Sequence, residues 1–499
     1  MASQPLLKET TEFLAGPHHM LIGGHWVDAV SGETIEVFNP ATEEIIARVP
    51  AAGKEDIDKA VAAARAAFDT GPWPGMSPSK RGGLISALAD LVEANADLFN
   101  QLEVLDNGMP YNPAGAMAGP RAASTLRYYA GWPSKISGLT VPVDTPPGAN
   151  HPGLTYVLRE PIGVVGQIIP WNFPLGMAVM KLGPALATGC TIVLKPAELT
   201  PLSALLLGRL IERAGFPEGV VNIVPGYGDP AGQAIAEHPD VDKVAFTGST
   251  AVGRKIIFAA GGNMKKVSLE LGGKSPFIIF PDADIEKATA QAARLAYFLQ
   301  GQNCMCASRL FIHNDIYDRV VEGVAQIAAS MTIGPGLDPE TNIGPLISAK
   351  QLSRVQEFIE SGTREGATLV TGGNRPEGKG HFMAPAIFAD AQPDMKIVRE
   401  EIFGPVTCAQ RFAGDDLESV AAQANDTIYG LIGSVWTRNL ETAHVMAGKI
   451  RAGTIGINYH GPADISAPFG GYKQSGWGRE FGAEGLNQYL ESKTVVTRF

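Results

Sequence analysis

The sequence predicts an α/β protein with two such units and a small β arm. Three observations carry the prediction. Between 164 and 271, continuous apolar strands alternate with helices, the pattern of a parallel sheet covered on both faces. A second set of apolar strand candidates occupies about 273 to 474. Two isolated β-like segments, at 138–160 and at the C-terminal end, stand apart from both.

The elements follow in order. Residues 22–50 alternate short β-like runs with turn residues: Trp26-Val27-Asp28, Glu36-Val37-Phe38-Asn39-Pro40 and Ile45-Ile46-Ala47-Arg48-Val49. Asp56 to Asp69 is helical by period, with Ile57, Val61, Ala64 and Phe68 on one face. Val164 to Ile169 reads as a strand, Leu175 to Thr188 as a helix and Thr191 to Leu194 as the next strand. Thr200 is expected to cap a helix with Pro201 in its first turn and Gly215 at its end. Strand Val220–Val224, helix Pro230–Glu237, strand Lys243–Phe246, helix Ala251–Ala260 and strand Lys266–Leu271 continue the alternation. Nucleotides bind at the carboxyl ends of such strands. In the second unit the strand candidates are Phe277–Phe280, Arg309–Ile312, Thr407–Phe412 and Gly433–Thr437. The 138–160 segment ends β-like at Thr155–Arg159, and the tail Ser492–Phe499 is also β-like. These two either pair into an arm reaching a neighbouring subunit or form a loose hairpin on their own domain.

Composition narrows the function. A chain of 499 residues is too long for one core, and its length suggests about three domains. With 45% hydrophobic and 18% charged residues it reads as a globular protein. The net charge of −11 and the lack of a basic run argue against nucleic-acid partners and for small-molecule ones. The four cysteines, Cys190, Cys304, Cys306 and Cys408, have no zinc-knuckle spacing, so no metal is expected. They are too few for a disulfide scaffold, which favours reduced thiols in the cytoplasm. Met1 to Met20 has no apolar stretch of signal-peptide type. The longest apolar region, Gly163 to Met180, is broken by Pro170, Asn172 and Pro174, so no membrane-spanning helix is expected.

The chemistry centres on Gly301-Gln302-Asn303-Cys304-Met305-Cys306, between a helix-like run and the β-rich Arg309–His313. A cysteine at such a junction can face a cleft. Upstream lies Leu269-Glu270-Leu271-Gly272-Gly273-Lys274. A thiol and a carboxylate can serve as nucleophile and general base, whereas a lone cysteine in apolar surroundings is more often core filling. Both segments resemble the two signature motifs of the aldehyde dehydrogenase superfamily. The resemblance covers nearly the whole chain and is strongest to its hydrolytic NAD-dependent members, of the phenylacetaldehyde and class 1/2 types.

That resemblance implies a Rossmann-like NAD-binding domain at 1–137 and 161–272, a catalytic domain at 273–474, and an oligomerisation segment at 138–160 and 475–499. It also implies a homo-oligomer, dimer or tetramer. Pro170-Trp171-Asn172-Phe173-Pro174 matches the oxyanion motif. Asn172 and the Cys304 amide would donate to the developing oxyanion, and Trp171 would lie on the cofactor side. Read alone, an asparagine between prolines simply starts a turn. Lys195-Pro196-Ala197-Glu198 matches the residues that hold the adenosine ribose. A carboxylate there repels a 2′-phosphate, so Glu198 favours NAD over NADP.

Phe246-Thr247-Gly248-Ser249-Thr250-Ala251-Val252-Gly253 matches the family's glycine-rich turn, with Gly248, Ser249 and Gly253 at the phosphates. Gly226-Tyr227-Gly228 reads as an ordinary loop. In Glu400-Glu401-Ile402-Phe403-Gly404-Pro405, Glu401 would bind the nicotinamide ribose and Phe403 would pack beside the ring. Asn458 and Pro468-Phe469-Gly470-Gly471-Tyr472-Lys473 complete the match near the substrate mouth. The substrate tunnel would be lined by Phe173, Gly176, Met177, Met180, Phe298, Met305, Ala463 and Phe469. Gly176, Met180 and Ala463 stand where relatives carry larger or aromatic side chains. The implied reaction is oxidation of a bulky apolar aldehyde, aromatic or medium-chain, through a Cys304 thiohemiacetal and thioester that Glu270 helps to hydrolyse. A CoA-acylating relative and a catalytically idle binding protein of the same fold are the alternatives, and retention of Cys304, Glu270 and Asn172 argues against both.

Overall fold

The computed structural model describes residues 4–111, 118–144, 153–414 and 416–498. Residues 145–152 of the segment expected to form an arm, and Phe499 of the tail, lie outside the described residues. The first sheet has eight strands in the order Gly476–Trp477, Lys266–Glu270, Lys243–Thr247, Val164–Ile168, Thr191–Lys195, Val221–Ile223, Met20–Ile22, His25–Val27. The five strands from Lys266–Glu270 to Val221–Ile223 pair in parallel. Four of them, Val164–Ile168, Thr191–Lys195, Val221–Ile223 and Lys243–Thr247, are buried at every residue, which is why they read as unbroken apolar runs.

The helix Pro174–Thr188 opens with proline at its first turn and ends on Gly189 at φ 95°. It is buried along its whole length except at Gly176 and Met177. Two helical expectations need correction. Thr200 does not cap the helix Leu202–Ala214, because Pro201 occupies the N-cap and no side chain caps it. Pro230–Glu237 is not one helix: Asp229 is extended, Gly228–Gly232 forms a wide turn, and the α-helix is only Gln233–Glu237. Proline without an N–H and glycines at 226, 228 and 232 explain the late start.

Helices Pro78–Ala94, Ala96–Asp106 and Ala118–Ala130 were not read from the sequence. The first carried a signal, since Ser77 accepts the Lys80 amide with proline in the first turn. They bury Ile85, Leu88, Val92, Phe99, Leu102 and Leu126 in the same core as the first sheet.

The second sheet has seven strands in the order Thr368–Thr371, Ala386–Ala389, Val406–Phe412, Arg309–His313, Pro276–Ile279, Ile432–Trp436, Thr454–Ile457, parallel except for the first pair. A third sheet joins Leu490–Arg498, Gly153–Pro161 and Leu139–Thr140. The tail and the 138–160 segment therefore pair within one chain, in register from Leu490↔Pro161 to Arg498↔Gly153. This three-stranded sheet begins later in the tail than 475, because Gly476–Trp477 instead extend the first sheet against Leu269–Glu270. Among the described residues no helix is long and apolar enough to cross a membrane.

Candidate active site

Four of the sequence-derived motifs come to one edge of the first sheet. In register, Ile168 lies opposite Lys195 and Phe246, and Thr247 lies opposite Glu270. The chain therefore leaves this edge through Pro170–Pro174, Lys195–Glu198, Thr247–Gly253 and Glu270–Lys274. Parallel strands put all their carboxyl ends on one side, and a ligand crevice forms there. The second sheet meets this edge with its amino ends: Pro276 pairs with Arg309, and Cys304 sits in the turn just before Arg309.

Cys304 is half-buried. Its turn is built by Asn303, whose Oδ1 accepts the Met305 amide at 3.1 Å and whose carbonyl accepts the Cys306 amide at 3.0 Å. Gly273 packs directly on the Cys304 carbonyl, leaving no room for a Cβ. Asn172 is buried, and its Nδ2 donates to the Gln302 carbonyl at 3.2 Å. The Pro170–Pro174 segment thus touches the turn that carries Cys304. A primary amide has two N–H donors, so one remains for a substrate oxygen. Burial pushes the Cys304 thiol up, helped by the Glu401 and Glu270 carboxylates, while its own amide and that of Met305 pull the other way.

Glu270 ends its strand and is 5% exposed, with Oε2 unpartnered. A Cβ at Gly470 would lie 2.8 Å from Glu270 Oε1, so the absence of a side chain there makes the carboxyl's berth. Burial raises Glu270 well above the usual carboxylate range; Glu480 adds to this, and Lys181 and Arg479 oppose it. Beneath it, Lys181 and Glu480 form an ion pair at 2.7 Å with both side chains almost fully buried.

Lys195 Nζ donates to the carbonyls of Pro196 at 2.8 Å and Gly226 at 2.6 Å and stands 3.7 Å from Glu198 Oε2. Glu198 is left 36% exposed, open to a ligand. Lys195 thus anchors the Gly226-Tyr227-Gly228 loop to this site, a connection the sequence did not reveal. Gly248 passes Phe246 so closely that a Cβ would lie 2.5 Å from its ring. Ser249 caps the helix Thr250–Ala260 through the Val252 amide at 3.3 Å, and its hydroxyl proton remains free for an anion at this helix N-terminus. Gly253 lies one turn in, where a Cβ would meet Leu271 at 2.7 Å, so it serves helix–strand packing.

Glu401 accepts the Gly273 amide at 2.9 Å and is pushed up to about 7 by burial. Phe403, at φ 59°, meets the Trp171 ring edge-on at 5.2 Å. Of the residues expected to line the substrate tunnel, Phe173 and Phe298 stack at 6.2 Å. Gly176, Met177, Met305 and Phe469 are half-buried, Met180 is buried and Ala463 is exposed.

The family model described as the aldehyde dehydrogenase family matches residues 26–495. The chain is 48% identical to mitochondrial aldehyde dehydrogenase of Homo sapiens, over 96% of this chain and 92% of that one. It is equally similar, at 48%, to mitochondrial benzaldehyde dehydrogenase of Antirrhinum majus, over 96% and 88%. An NAD+ complex of aldehyde dehydrogenase from Bacillus cereus superposes with a TM-score of 0.97, at 48% identity over 100% of both chains.

The chain belongs to the aldehyde dehydrogenase family.

Three features of this aldehyde dehydrogenase escaped the sequence reading. Lys181, Glu480 and His460 are all within 2% of full burial yet come from distant segments. Lys181 and Glu480 flank Glu270 only because the helix Pro174–Thr188 and the Phe469–Glu480 bridge meet beneath it. No local spacing announces such a pair. Cys306, two residues from Cys304, turns away: its thiol is buried and donates to the Ala296 carbonyl at 3.2 Å. All four cysteines are free.

Proposed function

We propose that this oxidoreductase converts a bulky apolar aldehyde, aromatic or medium-chain, to the carboxylic acid with NAD as the oxidant. The observation that carries the reading is the meeting of Cys304, Glu270 and Asn172 where the two sheets abut. Its chemistry runs through the chain's own side chains. Cys304 gives up its thiol proton to solvent and attacks the aldehyde carbon as the thiolate. The spare Asn172 N–H and the Cys304 amide hold the oxygen as charge gathers on it. NAD, when bound, accepts the hydride lost from that carbon. Glu270 then takes a proton from water, which attacks the resulting thioester and releases the acid and the thiol.

Several features fit the cofactor. The exposed Glu198 carboxylate can accept from ribose hydroxyls, and the capped helix N-terminus at Ser249 can meet a pyrophosphate. Glu401 and Phe403 stand on the Cys304 side for the nicotinamide half. The Bacillus cereus relative was solved with NAD+. The Phe173–Phe298 stack and the small Gly176 and Ala463 support an aromatic or long apolar substrate, and the Antirrhinum majus relative is named for benzaldehyde.

A steady-state panel tests both halves. Phenylacetaldehyde, benzaldehyde and octanal are expected to exceed acetaldehyde in kcat/KM, because buried apolar area stabilises binding by about 25 cal/mol per Å². Ala463→Phe should cost the large substrates more than the small one. NAD+ should outperform NADP+ by ~10-fold or more, through lost ribose hydrogen bonds and repulsion at Glu198, and Glu198→Gln should narrow the gap. Acetaldehyde as the best substrate, or equal kcat/KM for the two cofactors, would count against the corresponding half. Acid formation that requires added CoA would turn the reading toward acyl transfer.

The paired strands Gly153–Pro161 and Leu490–Arg498 carry exposed Leu154, Leu158 and Val496, at 42%, 40% and 59%. Apolar side chains on a thin projecting sheet favour cover by a second copy, giving a dimer or tetramer. Light scattering should therefore report a mass above that of one chain, 52.6 kDa. Deleting Ser492–Phe499 should lower it, and a monomeric wild type would dismiss the arm.

A further inference from the structure

His460 lies outside every motif read from the sequence, is 2% exposed, and touches the turn that carries Cys304. Its Nε2 is 2.9 Å from the Met305 carbonyl and its Nδ1 is 2.9 Å from Ser434 Oγ. A carbonyl oxygen only accepts. Nε2 must therefore bear the proton, and neutral imidazole must accept the Ser434 hydroxyl at Nδ1. Burial holds the ring neutral, lowering it to about 4. The ring also leans on Phe277, with centroids 5.4 Å apart. Asn458, at φ 51°, exchanges two hydrogen bonds with Thr437 and so turns the chain toward this position.

The peptides around Cys304 are pinned one by one. The Cys304–Met305 peptide is held by Asn303 Oδ1 on its amide and by Gly273 against its carbonyl. The Met305–Cys306 peptide is held by the Asn303 carbonyl on its amide and by His460 on its carbonyl. Asn303 is local and Gly273 acts by shape, so on these two peptides the long-range hydrogen bond is that of His460, reaching across 155 residues; the other long-range bond to this turn, from Asn172, falls on the Gln302 carbonyl ahead of them.

We propose that His460 is a positioning residue, its Nε2–H clamping the Met305 carbonyl so that the turn presents the Cys304 sulfur in one fixed orientation. It rests on Cys304 being the nucleophile of the reaction proposed above. The two amides that favour the thiolate, those of Cys304 and Met305, belong to the same turn. The groups acting against it are the Glu401 and Glu270 carboxylates. Releasing the clamp lets the amides drift and leaves the carboxylates in place, so the thiolate becomes harder to form.

The experiment follows iodoacetamide alkylation of Cys304 against pH in the ligand-free protein, with the modified peptide identified by mass spectrometry. His460→Phe keeps a ring against Phe277 but loses the donor. Its alkylation profile should move by about one unit to higher pH, which is about ten-fold slower alkylation below that range. Its kcat should fall ~10-fold or more with little change in KM for NAD+. His460→Gln restores one donor and one acceptor and should return most of both. Ser434→Ala, a small change should His460→Phe not fold, should move the profile in the same direction by less. A wild-type profile in His460→Phe or Ser434→Ala, or a His460→Gln variant as slow as His460→Phe, would overturn the clamp. The alkylation arm needs no aldehyde, so a wild type that oxidises none defeats the proposed reaction without touching this result.

Discussion

Cys304→Ala is expected to bring NADH formation from every aldehyde to below a few per cent of wild type while leaving NAD+ binding nearly intact. The other three thiols cannot replace it. Cys190 is buried and donates to the Tyr489 carbonyl, Cys306 to the Ala296 carbonyl and Cys408 to the Ser308 carbonyl. The substitution should also spare the fold, because the contact of the Cys304 thiol with Asn303 Oδ1 is long, 4.0 Å, outside normal hydrogen-bond length. The residues proposed to hold the cofactor, Lys195, Glu198 and Ser249, stand on other strand ends. Absorbance of NADH gives the first reading and a binding titration the second. Turnover above a few per cent would remove Cys304 as the nucleophile. In the ligand-free wild type the sign of the pH effect also follows. Burial and two carboxylates raise this thiol above its ordinary 9.0, so alkylation should still be climbing as pH passes that value. A plateau reached near neutrality would contradict it.

Glu270→Gln should separate the two halves of the reaction. The amide keeps the shape of the carboxyl but cannot take a proton from water. A burst of about one NADH per active site should therefore survive, followed by a steady rate lower by about 10²–10⁴-fold, the usual worth of a general base. Burial and Glu480 raise Glu270, so it remains protonated to a higher pH than an ordinary carboxyl and works as a base only above that point. Wild-type hydrolysis of the thioester should accordingly rise with pH across this range, and the rise should vanish in Glu270→Gln. Stopped-flow absorbance decides it. An unchanged steady rate would mean that another group activates the water, and loss of the burst would mean that Glu270 acts before the hydride leaves.

Much of this site was legible because its motifs sit at the ends of strands whose apolar runs are themselves legible. Val164–Ile168, Thr191–Lys195, Lys243–Thr247 and Lys266–Glu270 were each found within a residue or two, and being parallel they deliver Asn172, Lys195, Ser249 and Glu270 to one edge. The helix between Thr200 and Gly215 was found, but its start was misassigned, because a threonine before proline looks like a cap whether or not its oxygen reaches an amide. The helix Pro78–Ala94 was passed over, since its alanine- and glycine-rich faces give weak periodicity without the sheet it covers.

By itself, the sequence determined the alternation of strand and helix and the identity of the family, and it supplied the residues proposed as nucleophile, base and oxyanion donor. These depend on local pattern and on short contiguous motifs, which a linear reading preserves. Tertiary structure alone decided the rest. The Lys181–Glu480 pair beneath Glu270, the hold of Lys195 on Gly226, the register in which the tail pairs with Gly153–Pro161 and the reach of His460 to Met305 all join segments far apart in the chain. Each exists because a buried charge, donor or strand edge must find a partner wherever the fold brings one, and that need leaves no spacing in the sequence.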